Sequence, residues 1–376
     1  MRAGLYILYP ISLDDFEPLS PQVLSFHSIR ATSQKLVSPS MRVPNATNNP
    51  NKVQLTRITH VYFDHPNLEA FTEFAEAWGF VEARRVGDTI YYRGYGRDQY
   101  VYVATKATTK AFRGAAFVAA NKAEFDKAAK LPGATVSDLM NAPGGGQLVS
   151  FAPETNLYFH VIYGQTDREE PKEPPTATHD FQGPYNSALD KERKGRFQRY
   201  HEGPAMVHKL GHYGVICENF DSAIKWYTEN FNFVYSDVLY SPDDEGTDII
   251  AFMRLDRGKK FVDHHCVFLA RQEKPGTGTY VHHTSYEIED FDTQLLGHDW
   301  LRKKGYRSAW GVGRHILASQ IFDYWRDTSG FKIEHYADGD VLNNTHKTGR
   351  DVAGAMAIWG PELPKDFMID HSMLDD

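Results

Sequence analysis

RITHVYFDHPNLEAFTEFAEAWGFVEA, residues 57–83, and KLGHYGVICENFDSAIKWYTENFNFVYS, residues 209–236, follow one plan. Each opens with a short β-rich run, turns at an acidic or Asn-containing corner, continues as an amphipathic helix and ends at Gly or Asn before Phe. In the second copy Ile224, Tyr227 and Phe231 recur at helical spacing and give one apolar face. A second matched pair is NKAEFDKAAKL (121–131) and IEDFDTQLLGHDWLRKKGY (288–306). After each helix come strand-like runs rich in Tyr, Val, Phe and Ile, such as TIYYRGYGRDQYVYVAT and ASQIFDYWRDTSGFKIEHY. The chain therefore reads as four βαβββ modules in two pairs, an α+β fold with mostly antiparallel strands. One module cannot close a core alone, so the modules are expected to pair into two barrel-like domains, each wrapping a cavity.

The segments around the repeats have a different character. Residues 1–54 are rich in Ser, Pro and Asn without periodicity and read as an irregular extension. Residues 55–164 form the first domain, 165–205 a charged, proline-rich linker, 206–340 the second domain, and 341–376 a tail. The stretch AIWGPELPKDFM, 357–368, is a candidate lid over the cavity mouth.

With 376 residues, 41% hydrophobic and 24% charged, the composition is that of an ordinary globular protein. A net charge of −8 gives no electrostatic ground for nucleic-acid binding. No run approaches the roughly 20 apolar residues of a membrane span. Cys217 and Cys266 offer neither a disulfide framework nor a zinc spacing and read as packed thiols, so the expected location is cytoplasmic.

Three potential metal ligands fall at equivalent strand positions of the second half: His212 in LGHYGV, His283 in HHTSYEI and Glu334 in GFKIEHY. Two neutral imidazoles and one carboxylate on one side of an ion leave the opposite positions open, which suits non-haem Fe(II), with Mn(II) as the alternative. Aligning the halves sets His60 against His212, Phe117 against His283 and His160 against Glu334. The first half thus lacks two of the three ligands, and the metal site is expected in the second domain.

The stretch GRHILASQIFDYWRDTSGFKIE, 313–334, resembles the signature of the extradiol ring-cleaving dioxygenases of the vicinal oxygen chelate superfamily. The matching positions are Gly313, His315, Tyr324, Asp327, Gly330 and Glu334, with Thr328 in place of the usual Pro and Asp323 in place of an aliphatic residue. The likeness extends over roughly 55–340 and is strongest in 209–340. The doubled His282–His283 is similar to the homoprotocatechuate branch, where the second of the two is the ligand; His282 is then expected to face the other side of the sheet. Gly214 stands where that branch often has an Asn near the dioxygen pocket.

The resemblance implies metal ligation by His212, His283 and Glu334, acid–base work by His265 or its neighbour His264, with HCVFL favouring His265, and hydrogen-bond donation by His315 and Tyr324. It implies Fe(II)-dependent extradiol (meta) cleavage of an ortho-diol or aminophenol ring, with both atoms of O2 entering the product, and a homo-oligomer. Arg254, Lys259 and Lys260 are candidates to neutralise a substrate carboxylate. His298 and His335 read as surface residues. Other readings are a 4-hydroxyphenylpyruvate-type dioxygenase, a glyoxalase-like isomerase and a metal-free binding module of the same superfamily.

Overall fold

A computed structural model of the chain describes residues 41–172, 175, 183–273 and 276–368. The first 40 residues of the expected extension, part of the linker and the end of the tail lie outside the described residues.

The first module consists of β1 (Leu55–His65), α1 (Leu68–Trp78), β2 (Val81–Val86), β3 (Thr89–Arg93) and β4 (Tyr102–Lys106). The second is β5 (Ala111–Ala119), α2 (Lys122–Ala128), β6 (Thr135–Asp138), β7 (Gln147–Glu154) and β8 (Leu157–Tyr163). The third runs through β9 (Lys209–Cys217), α3 (Phe220–Asn230), β10 (Phe233–Ser241) and β11 (Asp244–Leu255), then a short β12 (Val262–Asp263) and β13 (Val267–Arg271). The fourth is β14 (Tyr280–Glu287), α4 (Phe291–Lys303), β15 (Arg307–His315), β16 (Ile321–Arg326) and β17 (Lys332–Ala337). The tail adds β18 (Val341–Leu342), β19 (Gly349–Val352) and β20 (Ala357–Trp359). The four expected βαβββ modules are thus present.

Local chemistry sets the helix ends. The Asn67 side chain accepts from the Ala70 amide at the start of α1, and the Asp290 side chain does the same for Thr293 at the start of α4. Helix α1 stops at Gly79, which is left-handed at φ 98° and packs so closely on the Ala205 carbonyl that a Cβ would meet it at 1.9 Å. Leu68, Phe71, Phe74, Ala75 and Trp78 make its buried stripe.

Each module pair shares one sheet through an antiparallel contact between its two first strands. The eight-stranded sheet runs β2-β3-β4-β1-β5-β8-β7-β6, with β1 against β5. The ten-stranded sheet runs β19-β10-β11-β13-β9-β14-β17-β16-β15-β20, with β9 against β14. Both edges of the larger sheet are therefore tail strands. Strand β19 pairs with β10 and β20 with β15, so residues 349–359 run from one edge of the sheet to the other.

One continuous apolar core joins the two sheets. Phe117 stacks on Phe159 and meets Phe233 edge-on, and Phe80 meets Tyr286. Buried Asn232 bonds both backbone groups of Leu55. His335 is fully buried, against the surface position expected for it: its ring stacks on Trp78 at 3.6 Å and its Nε2 donates to the Trp78 carbonyl. His298 is partly buried against Asp323. Trp78→Ala should cost about 3–5 kcal/mol, because it empties a large site between α1 and β17. The urea midpoint of the variant measures it. No helix among the described residues is long and apolar enough to cross a membrane.

Candidate metal centre

The sheet register explains how residues far apart in sequence meet. Ser285 on β14 pairs with His212 on one side and with Glu334 on the other. His283, two residues before Ser285, projects from the same face of the strand. The His212 and His283 Nε2 atoms lie 2.9 Å apart, and each is 3.3 Å from Glu334 Oε2. All three side chains are buried and can present their ligand atoms to one ion.

Both Glu334 oxygens are buried without a hydrogen-bond partner of acceptable geometry. A fully buried carboxylate in that condition is costly unless a cation joins it. Burial pushes its pKa up, but His212, His283 and His315 around it prevail and hold it well below the usual carboxylate range. Burial drives the His283 imidazole down to about 4, against the opposing pull of Glu334. An ionised carboxylate beside a neutral His283, with His212 alongside, is a donor set that fits a divalent ion.

The same rung in the first half holds His60, Ala116 and His160. His160 therefore matches Glu334, as expected from the sequence. Register places Gly114, not Phe117, opposite the His283 position, because Ala116 corresponds to Ser285. A Cβ at Gly114 would meet His160 Nε2 at 2.8 Å, and Tyr62 bonds His60 Nε2. That half fills with packed rings the space the other half leaves open.

A register shift between Val281 and His283 turns His282 toward the cavity rather than to the opposite face of the sheet. His282 Nδ1 lies 2.8 Å from His283 Nδ1, and its Nε2 lies 2.9 Å from the Phe367 carbonyl. With His283 Nε2 free for a metal, His283 Nδ1–H donates to His282, which in turn donates to Phe367. Lys332 Nζ, 2.7 Å from His282 Nε2, also donates to that carbonyl. The doubled histidine was the visible signal; the bulge that aims both rings inward was not.

His265 lies against His212, with ring centroids 4.1 Å apart. Its Nδ1 is 3.0 Å from His264 Nδ1, and His264 Nε2 is 2.6 Å from Asp237 Oδ2. Both nitrogens of His264 are engaged, whereas His265 Nε2 has no hydrogen-bond partner among the described residues. Burial first, then the neighbouring His212 and His264, keep His265 well below the usual imidazole range. His315 Nδ1 donates to the Met356 carbonyl, and its Nε2 is hydrogen-bonded to the Tyr324 hydroxyl, 3.0 Å away. Tyr324 lies edge-on to His283 and against Phe367. Asp323 faces away from the cavity, bonded to His298 and Trp325.

These groups open on a cavity of about 300 Å³. A side chain at Gly214, which pairs with His283, would meet the Phe268 ring at 1.9 Å. Phe268 therefore fills the space beside Gly214. Arg254 does not reach the cavity; its guanidinium bonds the Tyr235 carbonyl and Ser236 Oγ.

Residues 209–335 match the Glyoxalase/Bleomycin resistance protein/Dioxygenase superfamily. Metapyrocatechase 2 from Cupriavidus necator is 31% identical over 128 residues, which are 33% of this chain and 38% of that protein. The chain thus matches well under half of that relative's length. Among solved structures, the Mn(II)-bound glyoxalase from Novosphingobium aromaticivorans superposes with a TM-score of 0.66 at 19% identity, covering 84% of this chain and 94% of that one. Homoprotocatechuate 2,3-dioxygenase from Arthrobacter globiformis superposes with a TM-score of 0.66 at 17% identity, covering 88% and 94%. Likeness at this level of identity establishes the fold shared by the two halves, not the reaction.

Proposed function

We propose that the chain is an extradiol ring-cleaving dioxygenase that opens an ortho-diol or aminophenol ring beside its hydroxyls, with Fe(II) held by His212, His283 and Glu334. The observation that carries this is the buried Glu334 carboxylate, unpartnered between the neutral His283 imidazole and His212. The relative named a metapyrocatechase supports the reaction class. Fe(II) there would supply open coordination positions for both substrate oxygens and for dioxygen, and its charge would favour the ionised diol.

The chain's own groups do the rest. His265 presents a neutral imidazole at the cavity and accepts a proton from the substrate hydroxyl, later returning it. Tyr324, released from His315 when a substrate oxygen competes, donates to charge developing on oxygen, and His315 is positioned to take part in the same exchange. Phe268, Phe252 and the tail side chains keep water from the reacting centre. In this proposal 55–164 is the scaffold domain, 206–340 the catalytic one and the tail a lid.

Protein loaded anaerobically with Fe(II) and then mixed with catechols in air should consume one dioxygen per ring and yield a yellow muconic semialdehyde-type product. Stoichiometric metal with no oxygen uptake on any ortho-diol or aminophenol would rule the reaction out. The Mn(II) glyoxalase likeness makes isomerisation of a thiol–ketoaldehyde adduct the control reaction to run on that sample.

A further inference from the structure

We infer, resting on the ring-cleavage reading, that the substrate ring carries an uncharged apolar substituent, an alkyl or aryl group, rather than a carboxylate. Away from the histidines, the cavity wall is made by Leu239, Ile250, Phe252, Ile316, Val352 and Met356. No lysine or arginine among the described residues lines it, and the one ionisable side chain there besides the histidines and Tyr324 is Asp351, an acid. A substrate carboxylate would meet apolar carbon and a like charge.

The nearby cations are committed elsewhere. Arg254 is held by backbone and hydroxyl oxygens. Lys332 is tied to the Phe367 carbonyl. Lys260 lines a separate cavity with Arg57 and Lys209, and Lys259 is exposed without reaching the wall. Burying a carboxylate with no counter-charge carries a heavy desolvation cost, whereas each methylene moved onto an apolar wall gains. At about 300 Å³ the cavity is at the small end of ligand sites, enough for one ring with a short chain.

Three walls come from β10, β11 and the loop after β15, and the fourth from the tail around Val352 and Met356. Specificity is thus written partly in tail residues and partly in Leu239, which is half-buried on β10. A long side chain at 239 has a route to solvent, so an arginine there can bring a cation to the wall without unfolding the sheet.

The test compares 4-methyl-, 4-propyl- and 4-butylcatechol with 3,4-dihydroxybenzoate and 3,4-dihydroxyphenylacetate on the Fe(II)-loaded protein. Oxygen uptake gives kcat/KM, and anaerobic calorimetry gives affinity without turnover. Each added methylene should raise kcat/KM about fourfold until the cavity is full, and the carboxylated diols should trail the butyl compound by at least about 100-fold. Leu239→Arg should narrow that gap at least tenfold with iron content unchanged. Equal or tighter binding of the carboxylated diols would overturn the substituent assignment and leave ring cleavage standing. Absence of oxygen uptake with every diol would instead overturn ring cleavage, and the anaerobic binding order would then decide the substituent by itself.

Discussion

Glu334→Gln should abolish metal retention and, with it, the stabilisation that bound metal gives. The substitution keeps the shape of the side chain and removes an anion whose two oxygens are buried without hydrogen-bond partners. The wild-type protein should gain stability when Fe(II) or Mn(II) is added. At a free metal concentration 100 to 1,000 times Kd, binding to the folded state alone adds about 2.7–4.1 kcal/mol. Metal should therefore raise the thermal midpoint of the wild type and leave that of the variant unmoved. His283→Ala should also fail to retain metal, whereas His282→Ala should keep it with about 10- to 100-fold weaker affinity, because His282 acts through the Nδ1 of the ligand. Retention by His283→Ala and loss by His282→Ala would move the ligand by one residue and reverse the register of β14.

The four modules are legible in the chain because each repeats the same order of strand, corner, helix and strands, and the helix periodicity at Ile224, Tyr227 and Phe231 is strong. The convergence of His212, His283 and Glu334 is legible in part: His212 and Glu334 flank Ser285 on one rung, and His283 lies two residues along the same face. What local pattern does not carry is register at a bulge. One extra residue between Val281 and His283 brings His282 into the cavity, and the rung through Ala116 sets Gly114, not Phe117, at the His283 position. Burial by a distant element is equally silent: His335 is charged-looking in sequence yet lies under Trp78, 257 residues away in the chain. The tail contributions follow the same logic, because the Phe367 and Met356 carbonyls that orient His282 and His315 are backbone groups with no residue signature.

His265→Phe should lower kcat by about 10²- to 10⁴-fold, the usual contribution of a positioned acid–base group, with metal content unchanged. The phenyl ring can keep the packing on His212 and Phe252 while losing the nitrogen that faces the cavity. Asp237 and His264 should matter through that nitrogen. The Asp237 carboxylate accepts from His264 Nε2–H, and in the tautomer that keeps a lone pair on His264 Nδ1 the donor between the rings is His265 Nδ1. The proton on His265 is thereby placed away from the cavity, and the lone pair on Nε2 faces the substrate. Asp237→Ala removes the anchor, a hydrogen bond to a charged group worth about 1.5–3 kcal/mol, so kcat should fall about 10- to 100-fold with KM and metal content little changed. In the double variant Asp237→Ala, His265→Phe the loss should be no larger than that of His265→Phe alone, because the first change has nothing left to orient. Additive losses would mean that Asp237 acts on packing and not through His265.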